Sequence, residues 1–251
     1  MIHGVEVSVF LAAAGVVAGI IGTAGGITSL VAYPALLAVG VPPLTANVTC
    51  SVALIGSGAS SAASAGPDVE GRGTTIRTWL PIAVLLSLAG AVVLVSTPDR
   101  VFDRIVPFLV AAGALVLLLQ PRIRRWQEAR DHAWSRPTVV AGLGGIAFYN
   151  GYFGAGSGIL MVALLMLTRE PVLHRANGMK NVILLVSDLL PGALFAVLGA
   201  VAWRSAVPLG IGAVVGGLIG PVVARRAPTD LLRVLIACCG FALAGWLLVS
   251  A

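Results

Sequence analysis

Charge is what this chain has least of. Asp, Glu, Lys and Arg together make up 10% of its 251 residues, where a soluble domain carries about 25%. That leaves too little polar surface to wrap a globule in water, and it excludes a soluble enzyme and a disordered chain alike. There is one lysine, Lys180, against fifteen arginines. The net charge of +6 reads as loop charge on one side of a bilayer and points to no nucleic-acid partner. The three cysteines, Cys50, Cys238 and Cys239, sit in apolar stretches without CxxC or Cys/His spacing, so neither a disulfide framework nor a metal site is expected. No Walker motif is present and no strand precedes a glycine loop, which argues against an ATP-driven pump and a dinucleotide cofactor. No Ser/His/Asp constellation suggests a membrane enzyme. The first residues lack the basic region and cleavage site of a signal peptide, so the first apolar stretch is expected to remain in the mature protein.

Apolar segments are what remains. Hydrophobic residues make up 58% of the chain and mean hydropathy is +1.01, as expected of an all-α, multi-pass protein of the cell membrane. Apolar stretches run over 5–39, 44–65, 79–96, 101–120, 138–168, 173–200, 204–224 and 229–250. A crossing needs roughly 20 residues, so the first and fifth are too long to be single spans. Each has glycines at its middle: Gly22-Thr23-Ala24-Gly25-Gly26 and Gly154-Ala155-Gly156-Ser157-Gly158. Glycine weakens a helix interior by about 1 kcal/mol relative to Ala, so each long stretch is read as two half-helices joined by a bend.

The chain repeats itself. Gly19 through Ile27 lies over Gly151 through Ile159, and Leu44-Thr45-Ala46-Asn47 over His174-Arg175-Ala176-Asn177. Trp79 lies over Trp203, and Arg104-Ile105-Val106 over Arg233-Val234-Leu235. The expected units are a first repeat at 1–120, a linker at 121–137 rich in Arg and Trp, and a second repeat at 138–251. The linker is read as a cytoplasmic, interfacial stretch, with Trp126 and Trp134 at headgroup level.

Loop charge orients the repeats. If all eight stretches cross, the basic residues divide eight against eight. If the two long ones dip in and return, the repeats are inverted and the division is thirteen against three. The second arrangement satisfies the positive-inside rule and places both termini outside the cytoplasm.

In that arrangement the second half-helices start near mid-membrane with unpaired N–H groups and a positive dipole end, an anion site built from backbone. Gly22, Thr23, Gly25, Gly26 and Thr28 are the expected contributors from the first bend, and Gly154, Gly156, Ser157 and Gly158 from the second. Gly15, Gly19, Gly212, Gly216 and Gly220 have the spacing of close helix packing instead. Asn177, Asn181 and Asp188 fall on one face of a helix, with Lys180 beside it. Lys180 either snorkels to the cytoplasmic face or stands on the anion path. Asp188 is the candidate proton-coupling carboxylate or a structural partner. Asn47 and Ser51 are their uncharged counterparts in the first repeat, and Cys50 aligns with Lys180.

With these motifs in view, the chain resembles the sulfite exporter TauE/SafE family of small duplicated permeases. The resemblance rests on Gly15 through Gly26 with Tyr33-Pro34-Ala35-Leu36-Leu37 and on Gly40-Val41-Pro42-Pro43-Leu44-Thr45-Ala46-Asn47. In the second half it rests on Gly151 through Gly158 and Arg175-Ala176-Asn177-Gly178-Met179-Lys180-Asn181. It implies a secondary transporter of a small sulfur-containing anion such as sulfite, thiosulfate or an organosulfonate. An uncoupled anion channel and a non-transporting scaffold are the other classes to separate. Expected partners are that anion, the lipid bilayer and protons as coupling ion.

Overall fold

The computed structural model describes residues 2–25, 28–128, 135–199, 201–224 and 229–250. Ten α-helices account for nearly all of them: α1 Ile2–Gly25, α2 Ser29–Ala38, α3 Pro43–Ser64, α4 Gly73–Ser96, α5 Asp99–Glu128, α6 Arg136–Tyr152, α7 Ser157–Thr168, α8 Leu173–Leu198, α9 Trp203–Ala224 and α10 Thr229–Ser250. A 3-10 turn, Gly66–Val69, joins α3 to α4. Among the described residues, five helical stretches are long and apolar enough to cross a membrane: Gly4–Gly22, Gly73–Ser96, Asp99–Leu119, Leu173–Leu198 and Trp203–Gly220. Large apolar side chains such as Leu85, Phe108, Val197 and Val249 point outward and are exposed. Such a surface has lipid as its solvent, and the chain is a multi-pass membrane protein.

Both long stretches break where the glycines stand, between α1 and α2 and between α6 and α7. The first member of each pair is longer than a half-helix. At 1.5 Å per residue α1 is about 36 Å long and α6 about 26 Å, whereas α2 and α7 are about 15 and 18 Å. α5 continues through Pro121 to Glu128, into the stretch read as the linker. Proline removes one backbone donor, and neighbouring groups can absorb that inside a long helix. Trp134 and Arg130 lie outside the described residues.

Helix pairing follows one pattern. α1 packs on α9, and α4 on α6; α3 packs on both α8 and α9, α4 on α8, and α5 on α10. Glycine sets the closest approaches. A Cβ on Gly212 or Gly216 would stand 2.0 or 2.1 Å from the carbonyl oxygens of Ala12 and Val16, and one on Gly15 or Gly19 would meet those of Leu209 and Ala213 at 2.2 and 2.3 Å. The packing role read for these glycines is the one they have: backbone touches backbone. The same device joins α4 to α6, where a Cβ on Gly151 would lie 1.8 Å from the Ser87 carbonyl oxygen.

These contacts also give directions. Ala12 and Val16 on α1 meet Gly212 and Gly216 on α9 in ascending order, so the two helices run parallel. Ala53 and Ser60 on α3 meet Gly210 and Gly217 in the same sense. Along α3 and α8 the order reverses: Val48 lies against Gly199, Ile55 against Gly192 and Ala65 against Gly178. α3 and α8 are therefore antiparallel.

Candidate functional site

Between α3 and α8, the two bends line a partly open cavity of about 140 Å³. Its wall draws on both halves of the chain. Gly22, Thr28 and Ser29 come from the first bend, and Asn47, Cys50, Ser51, Ser57, Gly58 and Ser61 from α3. Asn150, Gly151, Phe153, Gly154, Ser157 and Gly158 come from the second bend, and Lys180, Asn181 and Asp188 from α8. Of the residues singled out in the sequence, Gly22, Thr28, Asn47, Ser51, Gly154, Ser157, Gly158, Lys180, Asn181 and Asp188 meet here. Asn177 is half-buried on α8 and outside this lining. Gly26 lies outside the described residues, and Thr23 and Gly25 are described only as α1 backbone.

The second bend is shaped by two glycines. Gly154 and Gly156 have φ of +78° and +79°, a left-handed conformation that disfavours any Cβ. Gly156 caps α7 and faces Gly113 of α5 rather than the cavity, so its part is to make the turn. Backbone donors are fewer than expected. The N–H groups of Ser157, Ile159 and Leu160 bond to the carbonyls of Gly154 and Gly156 within the turn. The N–H of Gly158, on the cavity wall, has no protein acceptor among the described residues. Tyr149 steadies the bend by donating its hydroxyl to the Ala155 carbonyl at 2.7 Å.

α3 is tied to this bend directly. Asn47 Nδ2 donates to the carbonyl oxygen of Tyr152 at 2.9 Å, which satisfies one of the acceptors left open where α6 ends. Tyr33 on α2 meets Phe153 edge to face, ring centroids 5.5 Å apart. Ser51 donates its hydroxyl to the Asn47 carbonyl one turn back, at 3.0 Å, and so presents lone pairs to the cavity.

Charge in the cavity is sparse and specific. Lys180 is 2% exposed. Its side chain has not snorkelled, and it has no hydrogen-bond or ion-pair partner among the described residues. A buried ammonium without a partner carries a desolvation cost that only an anion or water can offset. Asp188, the carboxylate of the cavity, is held instead by an amide: Asn150 Nδ2 donates to Asp188 Oδ1 at 2.5 Å. Ser157 Oγ donates in turn to Asn150 Oδ1 at 2.6 Å. Asn150 was not singled out in the sequence. Its signal was there, as an amide inside an apolar stretch just ahead of the glycine bend.

The model of the sulfite exporter TauE/SafE family matches residues 9–247. The chain belongs to the sulfite exporter TauE/SafE family. Among curated relatives of this member, a probable membrane transporter protein, ORF9, of Sinorhizobium sp is 31% identical over 94% of this chain and 90% of the relative. A probable membrane transporter protein of Haemophilus influenzae is 26% identical over 95% of this chain and 93% of its own. The probable membrane transporter protein YfcA of Escherichia coli K12 is 22% identical over 87% and 81%. No solved structure matches this family member. The family to which it belongs is one of membrane transporters.

Outside the cavity the halves meet again. Arg72, in the connection before α4, forms an ion pair with Glu170, in the connection before α8. The Glu170 side chain is 1% exposed. His174 lies 4.0 Å from Asp68 beside it.

Proposed function

We propose that this protein is a secondary transporter for a small sulfur-containing anion, such as sulfite, thiosulfate or an organosulfonate, held at mid-membrane between two inverted repeats. The observation that carries the reading is Lys180: a buried cation without a protein partner, facing a cavity whose other walls offer the Gly158 N–H, hydroxyls and amides. An anion supplies what that ammonium lacks. The sulfur chemistry rests on the family description alone.

The inverted arrangement has two supports. α3 and α8 occupy matching places in the repeat and run antiparallel; eight full crossings would make them parallel. Arg72 and Glu170 touch; eight full crossings would put their connections on opposite faces of the bilayer. In the inverted arrangement α2 and α7 return the chain toward the face from which α1 and α6 entered. Asp188 is the proton-coupling carboxylate, and the residues at 121–137 face the cytoplasm.

Reconstitution tests this. Purified protein in proteoliposomes should exchange labelled sulfite, thiosulfate or methanesulfonate across the membrane, and a pH gradient should drive accumulation above equilibrium. Flux without accumulation would make it a channel. No flux of any of these anions would leave a scaffold and sink the proposal. Thermal stabilisation adds a binding readout: at a hundredfold excess over Kd a ligand contributes about 2.7 kcal/mol, or roughly 5–10 °C for a chain of this size.

A further inference from the structure

Asn150 links the carboxylate of the cavity to one of its hydroxyl donors, and the arrangement of hydrogens along that link is forced. A carboxylate only accepts, so Asn150 must turn its NH₂ to Asp188, as the 2.5 Å contact has it. The amide oxygen then faces Ser157, which can only donate to it, at 2.6 Å. A hydroxyl has one proton. While Asp188 is ionised, that proton is committed to Asn150, and Ser157 offers an anion nothing but lone pairs.

We propose that Asn150 is a positioning residue that makes anion binding depend on a proton at Asp188, by switching Ser157 from acceptor to donor. The inference rests on reading the cavity as an anion site. A proton taken from water forms an O–H bond on the Asp188 carboxyl. That O–H now donates, and Asn150 turns its amide so that its oxygen accepts from Asp188 and its NH₂ donates to Ser157 Oγ. The serine hydroxyl is released to donate into the cavity. On release of the anion the steps reverse and the proton returns to water. No other covalent bond changes. Proton and anion therefore favour each other's binding by the same factor.

Few other groups can answer for the pH dependence. On α8 itself the charged neighbour in the cavity is Lys180, and from α3 the titratable one is Cys50. On α6 the Tyr149 hydroxyl is engaged with Ala155. α4 and α7 bring no charged side chain to the lining among the described residues.

The test must separate the relay from simple repulsion between an ionised Asp188 and an anion. Binding of thiosulfate and of methanesulfonate, which keep their charge from mildly acid to mildly alkaline solution, is measured by calorimetry on the purified full-length protein across that range. Wild type should bind more tightly as pH falls, by about tenfold or more, within the usual range of coupling between sites. Ser157→Ala and Asn150→Ala should flatten the dependence, while Ser157→Thr, which keeps the hydroxyl, should restore it. Asp188→Asn, whose amide can donate like the protonated acid, should bind at the acid-side affinity at every pH. If Ser157→Ala and Asn150→Ala, folded by melting curve, keep the wild-type dependence, Asp188 acts through space and the relay is wrong. Asp188→Asn binding at the alkaline-side affinity overturns it equally. If wild type binds neither anion, the anion site itself is refuted and the relay with it.

Discussion

Replacing Lys180 by methionine should weaken binding and strengthen the fold at once, and the two effects can be sized from the structure. The buried ammonium lines a partly open cavity and has no protein partner among the described residues. An anion about 4 Å away, at an effective dielectric constant of about 20, gains about 4 kcal/mol from it. Water in the cavity screens part of this, so Lys180→Met should raise Kd by roughly 10²–10³-fold. Without ligand the sign reverses. An unpaired buried charge costs up to several kcal/mol; allowing for the same cavity water, its removal should stabilise the protein by about 1–2 kcal/mol, or roughly 2–8 °C in Tm. Methionine matches the length of the lysine stem and leaves no void. Lys180→Arg keeps the charge and should bind within about tenfold of wild type. The assay is calorimetric binding beside a melting curve without ligand. A Lys180→Met protein that melts lower and binds as well as wild type would show a structural lysine, and the electrostatic reasoning would fail.

Gly158→Leu should abolish anion binding with a modest loss in Tm, since Gly158 lines the cavity, whereas Gly216→Leu should reduce the yield of folded protein while the folded fraction still binds, because its Cβ would run into the Val16 carbonyl; binding per folded molecule decides. Asp188→Asn should retain downhill exchange in proteoliposomes and lose accumulation driven by a pH gradient; normal accumulation would place coupling elsewhere. A reporter fused after Ala251 should be active when it is of the periplasmic type and silent when cytoplasmic, and the opposite result would return the chain to eight crossings. Arg72→Met strands the buried Glu170 carboxylate and should cost roughly 2 kcal/mol, with Arg72→Met/Glu170→Gln recovering most of it by thermal melt.

The apolar stretches, the glycine breaks and much of the cavity wall could be read from the sequence, because a bilayer enforces length and hydrophobicity locally. Asn47, Lys180 and Asp188 stood out as polar groups in apolar company. What local reasoning could not supply is how polar groups pair. Asn150 reaches Asp188 across 38 positions, and laying Gly19 over Gly151 sets Ala18 against it, so comparing the two halves offers no hint. Ser157 is read in the sequence as a backbone donor at the start of a half-helix, yet its N–H is taken by the Gly154 carbonyl within the turn. Gly156 shows the same limit: glycine for a ligand and glycine for a turn look alike until φ is known.

The closest seams in the molecule, α1 against α9 and α4 against α6, each join a helix of one half to a helix of the other. The halves are thus interlaced like clasped fingers, and neither can tilt as a block without tearing backbone from backbone. Any movement that opens the cavity first to one side and then to the other has to divide the chain along different lines. One slab would hold α1, α3 and α9, the other α4, α6 and α8, with α3 sliding along α8 where isoleucine and leucine side chains, not carbonyls, fill the gap beside glycine. The half of the chain and the unit that moves would then be two different objects.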